Sequence, residues 1–320
     1  MFTERVPLKS IRRVAHLSAG LTALSVILNS RPANAQAGSP VIKINNEAAA
    51  SDVKTTPLRD GISMIEGSGG NFGVFTGPDG KFMVDAGIAV SKPKIIAALA
   101  KISPAPVKYV IDTHWHWDHT SGNAWLHDEG AIIVGTPNTV KHMSVETRVD
   151  DWDYTFPPSP AGGIPTEVLA KRKTYRFNGR TIVVAPIAPA HTDGDLYVYF
   201  KQADVLFAGD LFWNGLYPFI DNEQGGSIDG MIRADDAILG MTTDKTIIVP
   251  GHGPVGNRKQ LIEFRGMLAS IRKNVAALKT QGKSLAEAVA SKPTAAYDEK
   301  WGRFVIGPDL FTKIVYDGLK

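Results

Sequence analysis

Four potential metal ligands lie within six residues in the stretch Thr113-His114-Trp115-His116-Trp117-Asp118-His119. Three imidazoles and a carboxylate crowded this closely are hard to explain as packing. Only eight of the 320 residues are histidine, and three of the eight stand here. The segment therefore reads as a metal site. His114 and His116 are two apart, so an extended or tightly turned backbone aims both rings the same way. Asp118 and His119 are adjacent and cannot both follow them in a regular strand. A loop that turns just after His116 sends this pair toward a second ion. Residues 107–112 read as a short buried strand, rich in β-branched and aromatic side chains. The motif thus sits at a strand's C-terminal end, where open α/β sheets place their chemistry.

Residues 1–35 read as an export signal rather than part of the fold. Arg5, Lys9, Arg12 and Arg13 form a basic n-region, an apolar run follows over residues 14–28, and Ala33-Asn34-Ala35 supplies a small-x-small cleavage site. The apolar run holds His16 and Ser18 and is short for a membrane span. Cleavage after Ala35 places the mature protein in the periplasm or outside the cell, without a stable membrane anchor. Arg12-Arg13 hints at twin-arginine export, but the surrounding residues fit that signal poorly and the route stays open. The segment carries five basic residues and one acid, so its removal takes the net charge from +3 to −1. The basic balance of the full chain then gives no support for a nucleic-acid partner. There is no cysteine, which excludes thiolate ligands and leaves nitrogen and oxygen to hold any metal.

Residues 36–57 read as a flexible lead-in, and residues 58–320 as one domain with no internal repeat. From residue 61 the pattern is β-rich, with a Gly77-Pro78-Asp79-Gly80 turn marking a hairpin. Ser91 caps a helix running to residue 102. A short helix over residues 121–128, a strand at 131–134 and a helix capped by Thr136-Pro137 follow the histidine motif. Residues 150–166 read as a long surface loop. The second half repeats the order: a hairpin turned by Asn178-Gly179, strands at 196–200 and 205–208, a helix over 228–241, a strand at 246–249, and helices over 258–279 and 284–290. Two similar β-then-α halves predict two sheets packed face to face with helices outside.

Downstream, His191, Asp210 and His252 each follow a strand-like run, with glycine nearby to let the backbone turn: Thr192-Asp193-Gly194, Gly209-Asp210 and Gly251-His252. His-x-His-x-Asp-His at 114–119, the later His191, Gly209-Asp210 and Gly251-His252 resemble the metallo-β-lactamase superfamily, in order over residues 61–253. The resemblance implies an α/β fold, a four-layer αββα sandwich, with a two-metal site between the sheets. It assigns His114, His116 and His191 to one Zn2+, Asp118, His119 and His252 to the other, and Asp210 to both, two zinc ions per chain. Nitrogen and carboxylate donors suit zinc independently of the resemblance. Flavodiiron relatives usually carry an acid where His116 stands, which argues against a redox iron pair. His127 and His142 fall on predicted helices and read as surface or packing residues.

The chemistry implied is hydrolysis by a metal-bound hydroxide of an ester, lactone or amide, β-lactams included, with Asp118 orienting the nucleophile and moving its proton. Asp85 is placed either to hold a ligand histidine or to close a hairpin. Trp115, Trp117, Phe212, Trp213, Tyr217 and Phe219 supply either an apolar pocket mouth or packing beneath the loops. The expected partner is an apolar small-molecule substrate. The ligand set is closer to glyoxalase II and the acyl-homoserine lactonases than to true β-lactamases. Many of the latter carry Cys or Ser in place of Asp210, and several place a lysine soon after it; residues 211–221 here contain no basic residue. The lactonases usually have a tyrosine where Trp213 stands. A glyoxalase II-like thioesterase and a non-catalytic zinc-binding accessory protein are the alternative readings.

Overall fold

Alternating side chains decide how the strands of this chain stack. The computed structural model describes Met1 and residues 38–187 and 189–319, so the expected export signal lies, Met1 apart, outside the described residues. A helix, α1 (Pro40–Ala50), comes first. Strands β1 (Lys54–Pro57), β2 (Ile62–Glu66), β3 (Phe72–Gly77) and β4 (Gly80–Val84) form an antiparallel meander. After helix α2 (Lys92–Ile102), strand β5 (Val107–Ile111) adds in parallel to β4. Helices α3 (Trp117–Thr120) and α4 (Asn123–Asp128) lead to the parallel strand β6 (Ile132–Gly135). Helix α5 (Pro137–Met143) and the small hairpin of β7 (Thr147–Val149) and β8 (Tyr154–Phe156) precede β9 (Glu167–Val168), which closes this sheet.

The second sheet runs β10 (Lys173–Phe177), β11 (Arg180–Pro186), β12 (Leu196–Phe200), β13 (Val205–Trp213), β14 (Ile247–His252) and β15 (Gly256–Asn257). Helix α6 (Ile228–Met241) crosses between β13 and β14, which are parallel. Helices α7 (Arg258–Thr280), α8 (Leu285–Ala290), α9 (Asp298–Trp301) and α10 (Pro308–Gly318) complete the chain. One face of each sheet meets the other: Met64, Phe82 and Ile111 pack with Val184, Phe200 and Phe207. On the far face of the first sheet Val74, Met83 and Val110 meet Ile95 and Leu99 of α2 and Leu126 of α4. On the far face of the second, Val183, Leu206 and Ile248 meet α6, α7 and α10. These three apolar layers make the helix–sheet–sheet–helix sandwich.

Two expectations need correction. The stretch at 36–57 is not a loose lead-in from Ser39 onward. Ser39 caps α1 by accepting from the Val41 amide, Pro40 occupies the first turn, and Val41, Ile44 and Ala48 are buried on one face. Residues 54–57 then form the edge strand β1. The stretch at 150–166 is not simply a surface loop either. Asp153, at φ 44°, lies in the turn between β7 and β8, and Trp152 and Phe156 are buried beside the histidine motif.

One buried acid stands apart from the site. Asp235 of α6 is fully buried with neither carboxylate oxygen hydrogen-bonded among the described residues, while the neighbouring Asp236 takes Arg265 in a two-point pair. Burial pushes the Asp235 carboxyl well above its ordinary range, with Asp236 adding to the effect. The folded state then keeps a proton that the unfolded chain has released, so this group makes stability fall as pH rises above about 4. Asp235→Leu is expected to raise the unfolding free energy by about 1–3 kcal/mol at pH 8, with a smaller gain near pH 4. Urea denaturation at the two pH values checks this; an equal or absent gain would refute it.

Candidate metal centre

Most of the functional side chains stand at or just beyond a strand's end, and Asp210 stands inside one. After β5, Asp112 is locked by the Asn123 amide, and Thr113 donates both its amide (2.7 Å) and its hydroxyl (2.8 Å) to Asp85. Asp85 follows β4 in the left-handed region (φ 64°) and also accepts from His119 Nδ1 at 2.9 Å. It therefore serves the site, and the hairpin-end alternative falls away. His116 is the N-cap of α3, so the backbone turns from extended to helical there and carries Asp118 and His119 in another direction from His114 and His116. His191 sits between β11 and β12 in a loop tied by Asp195, which accepts from the Thr192 amide and hydroxyl. Burial pushes the Asp195 carboxyl up to about 7.

Asp210 lies within β13, where the pairing with β14 loses register on both sides of Gly209. Gly209 is left-handed (φ +54°), and a Cβ there would stand 2.6 Å from Thr113. Across the ladder, a Cβ on Gly251 would collide with the Asp210 carboxylate, so glycine leaves room for it. His252 ends β14 with its ring against Trp213, centroids 4.0 Å apart.

All seven expected residues converge, in two groups. His114, His116, His191 and Asp210 form one; Asp118, His119 and His252 form the other, with the donor atoms inside each group within 4.8 Å of one another. Asp210 faces both. Its Oδ2 is 3.4 Å from His191 Nε2 and 3.4 Å from His252 Nε2, and its Oδ1 is 3.1 Å from His119 Nε2. Asp118 Oδ2 is 3.4 Å from His252 Nε2. Every member is buried, none more than 6% exposed. His127 and His142 stay outside both groups; His142 is buried and pairs with Asp193 at 2.8 Å.

Outer hydrogen bonds fix the imidazole tautomers. His191 Nδ1 donates to the Phe219 carbonyl at 2.8 Å, and His119 Nδ1 to Asp85. Because the Thr113 hydroxyl proton goes to Asp85, His114 Nδ1 donates to Thr113 Oγ1 at 3.1 Å. His116 is reversed: its Nε2 donates to Asp221 at 3.1 Å, leaving Nδ1 inward. Lone-pair nitrogens therefore face one another, with His116 Nδ1 at 3.1 Å from His114 Nε2 and 2.9 Å from His191 Nε2. His119 Nε2 and Asp210 Oδ1 face each other at 3.1 Å and have no other hydrogen-bond partner among the described residues. Such an arrangement is repulsive without a cation, so the residues fit a metal pair.

The protonation tendencies agree for His114, His116, His191 and Asp210. Burial holds His114 and His116 well below the usual imidazole range and His191 down to about 4, so their inward nitrogens stay free. Burial raises the Asp118 carboxyl. Asp210 is also buried, but the imidazoles of His252, His119, His114 and His191 hold it well below the ordinary carboxylate range. For His119, burial is outweighed by Asp210, Asp118 and Asp85, which raise it.

Asp221 is the functional residue that sequence reasoning missed. It lies at the end of an aromatic stretch, and the signal was a single acid placed among Tyr217, Phe219 and Ile220. The aromatics divide. Trp117, Trp213 and Phe219 line an apolar pocket over the two groups, together with Trp152. Phe212 packs on Phe264, Tyr217 stacks on Phe311, and Trp115 packs on Phe156. Among the described residues no lysine or arginine lines the pocket.

Comparison with known proteins agrees with this geometry. Residues 65–256 match the family described as the metallo-beta-lactamase superfamily. The chain is 21% identical over 147 residues to the metallo-beta-lactamase IND-1 of Chryseobacterium indologenes, covering 46% of this chain and 56% of that protein. It is 22% identical over 183 residues to an acyl-coenzyme A thioesterase of Gallus gallus, covering 50% of this chain and 65% of that protein. The chain thus spans less than two thirds of either curated relative. Among solved structures, a metallo-beta-lactamase from Pontibacter korlensis superposes with a TM-score of 0.57 at 17% identity, over 68% of this chain and 99% of the other. The inverting sec-alkylsulfatase Pisa1 from Pseudomonas sp. superposes with a TM-score of 0.62 at 16% identity, over 84% of this chain and 51% of the other. At these identities the superpositions speak for the fold.

Proposed function

The chain belongs to the metallo-beta-lactamase superfamily, and from that premise we propose an exported, zinc-dependent hydrolase of uncharged esters, lactones or amides. The observation that carries this reading is the set of inward lone pairs, each fixed by an outer acceptor, around the Asp210 carboxylate. His114, His116, His191 and Asp210 would hold one ion, and Asp118, His119 and His252 with Asp210 the other. When bound, a zinc pair supplies Lewis acidity toward the scissile bond and makes water acidic enough to attack at neutral pH.

The chain's own groups do the rest. Asp118 Oδ2 faces the pocket beside His252 and is placed to take a proton from attacking water and pass it to the leaving atom. Asp85 and Asp221 keep His119 and His116 in the required tautomers. Trp117, Trp152, Trp213 and Phe219 exclude water and favour an apolar acyl part. A wall without lysine or arginine among the described residues favours neutral substrates over carboxylates and phosphates.

The test is zinc content and turnover of the purified chain on a panel of aryl esters, acyl lactones, nitrocefin-type lactams and glutathione thioesters. About two zinc ions per chain, with the neutral esters or lactones fastest, is the expected result. Full activity after complete metal removal would refute zinc dependence. Preference for thioesters over matched oxoesters would move the assignment to a thioesterase.

A further inference from the structure

Ile44 of α1 and Phe304, in the irregular segment between α9 and α10, line two cavities at once. The inner one is the pocket over the metal groups, with a free volume of only about 20 Å³. That is room for about one water molecule, and far too little for any substrate of the proposed class. The outer one is a solvent-open groove of about 780 Å³ that passes Gly67, Ser68 and Pro254. Ile44, Phe304 and His252 are the three residues common to both. The ligand histidine thus lies at the junction, and two apolar side chains stand beside it.

The backbone of α1 is pinned at both ends. Ser39 Oγ donates to the Trp152 carbonyl at 2.6 Å, and at the other end Lys94 Nζ donates to Ala49 O at 2.7 Å and Ser91 Oγ to Ala48 O at 3.1 Å. Ile44 packs with Ile88, Trp117 and Val305, so α1 meets the 304–306 segment directly above the site. Within this roof Phe304 is the loosely held part, 44% exposed despite its size. Exposed side chains change rotamer within nanoseconds, whereas a pinned helix does not lift so readily.

We propose that Ile44 and Phe304 form an apolar gate through which substrate passes from the groove to the metal pocket, making them the residues that set substrate size. The groove's charged side chains, Glu47, Asp52 and the ion-paired Lys54 and Glu66, lie outside the gate, and no lysine or arginine among the described residues lines the wall inside it. The part of the substrate that crosses is accordingly slim and uncharged. This inference rests on the hydrolase reading of the pocket, and its test separates the two.

Ile44→Ala, Phe304→Ala, the double variant and Phe304→Trp are compared with the unaltered zinc-loaded full chain. One readout is the rate of zinc loss to excess chromogenic chelator, which requires access but no turnover. The other is the ratio of kcat/KM for para-nitrophenyl pivalate over para-nitrophenyl acetate. Opening the gate should speed zinc loss and shift the ratio about tenfold toward the bulky ester. Phe304→Trp should move both the other way, which keeps the test sound if an alanine variant fails to fold. If esters are hydrolysed and neither readout moves in any variant, the gate is refuted. If zinc loss follows the gate size while no ester, lactone or amide of the panel is cleaved, the gate stands and the hydrolase reading falls.

Discussion

Asp118→Ala is expected to lower kcat by about 10²–10⁴ while the chain keeps its fold and at least about one of its two zinc ions. The carboxylate is buried, in the floor of the pocket, and faces His252 at 3.4 Å and His119 at 3.7 Å. The His114, His116, His191 and Asp210 group does not include it, so that half of the centre survives. Asp118→Asn separates its two roles. An amide still offers an oxygen to a cation but cannot accept a proton, so zinc content near that of the unaltered chain with activity as low as in the alanine variant assigns a proton-moving role. Steady-state kinetics beside metal analysis measures both. Turnover close to that of the unaltered chain in both variants would remove Asp118 from the chemistry.

Asp210→Ala should be more damaging still, because it removes the one negative group that faces both sets of imidazoles. Its Oδ2 lies 3.8 Å from His114 Nε2 as well as close to His191 and His252, and its Oδ1 faces His119. Without it, the nitrogens converge on a site with much less negative charge to hold a cation. Zinc content should fall from about two ions to one or fewer, activity should be lost, and stability should fall by about 3–5 kcal/mol, the usual cost of removing one partner of a buried charged pair. Metal analysis and thermal denaturation of the same preparation decide it. Two zinc ions retained with unchanged stability would show that Asp210 does not bridge the two groups.

Much of this architecture was legible before any coordinates. Strands such as Leu196–Phe200 and helices such as Ile228–Met241 carry their own periodicity and caps, and the structure places them where the pattern does. The seven convergent residues were legible because each lies close behind an apolar run, although Asp210 proves to stand inside its strand, so local order in the sequence foretold a shared rim. What lay hidden depends on long-range contact. Asp221 acquires meaning only because its loop returns to His116, 105 residues away in the chain. The helix at Pro40–Ala50 is short and rich in Asn and Ala, and its cap and its three buried positions are weak signals in the sequence. Trp152 ends a single 3₁₀ turn and Phe304 lies in an irregular segment, both too short of period to betray which way they face. The aromatic run after Asp210 looked uniform, yet half of it turns toward the pocket and half toward α7 and α10.

The ligand groups draw on both sheets. His114 and His116 come from the first sheet's side and His191 and Asp210 from the second, and the other group likewise joins Asp118 and His119 to His252. Coordination would therefore staple the two halves of the chain together, and neither half could hold an ion firmly before the other had docked. Slow escape of the ions and resistance to proteolysis would then be two faces of one kinetic barrier, the parting of the sheets.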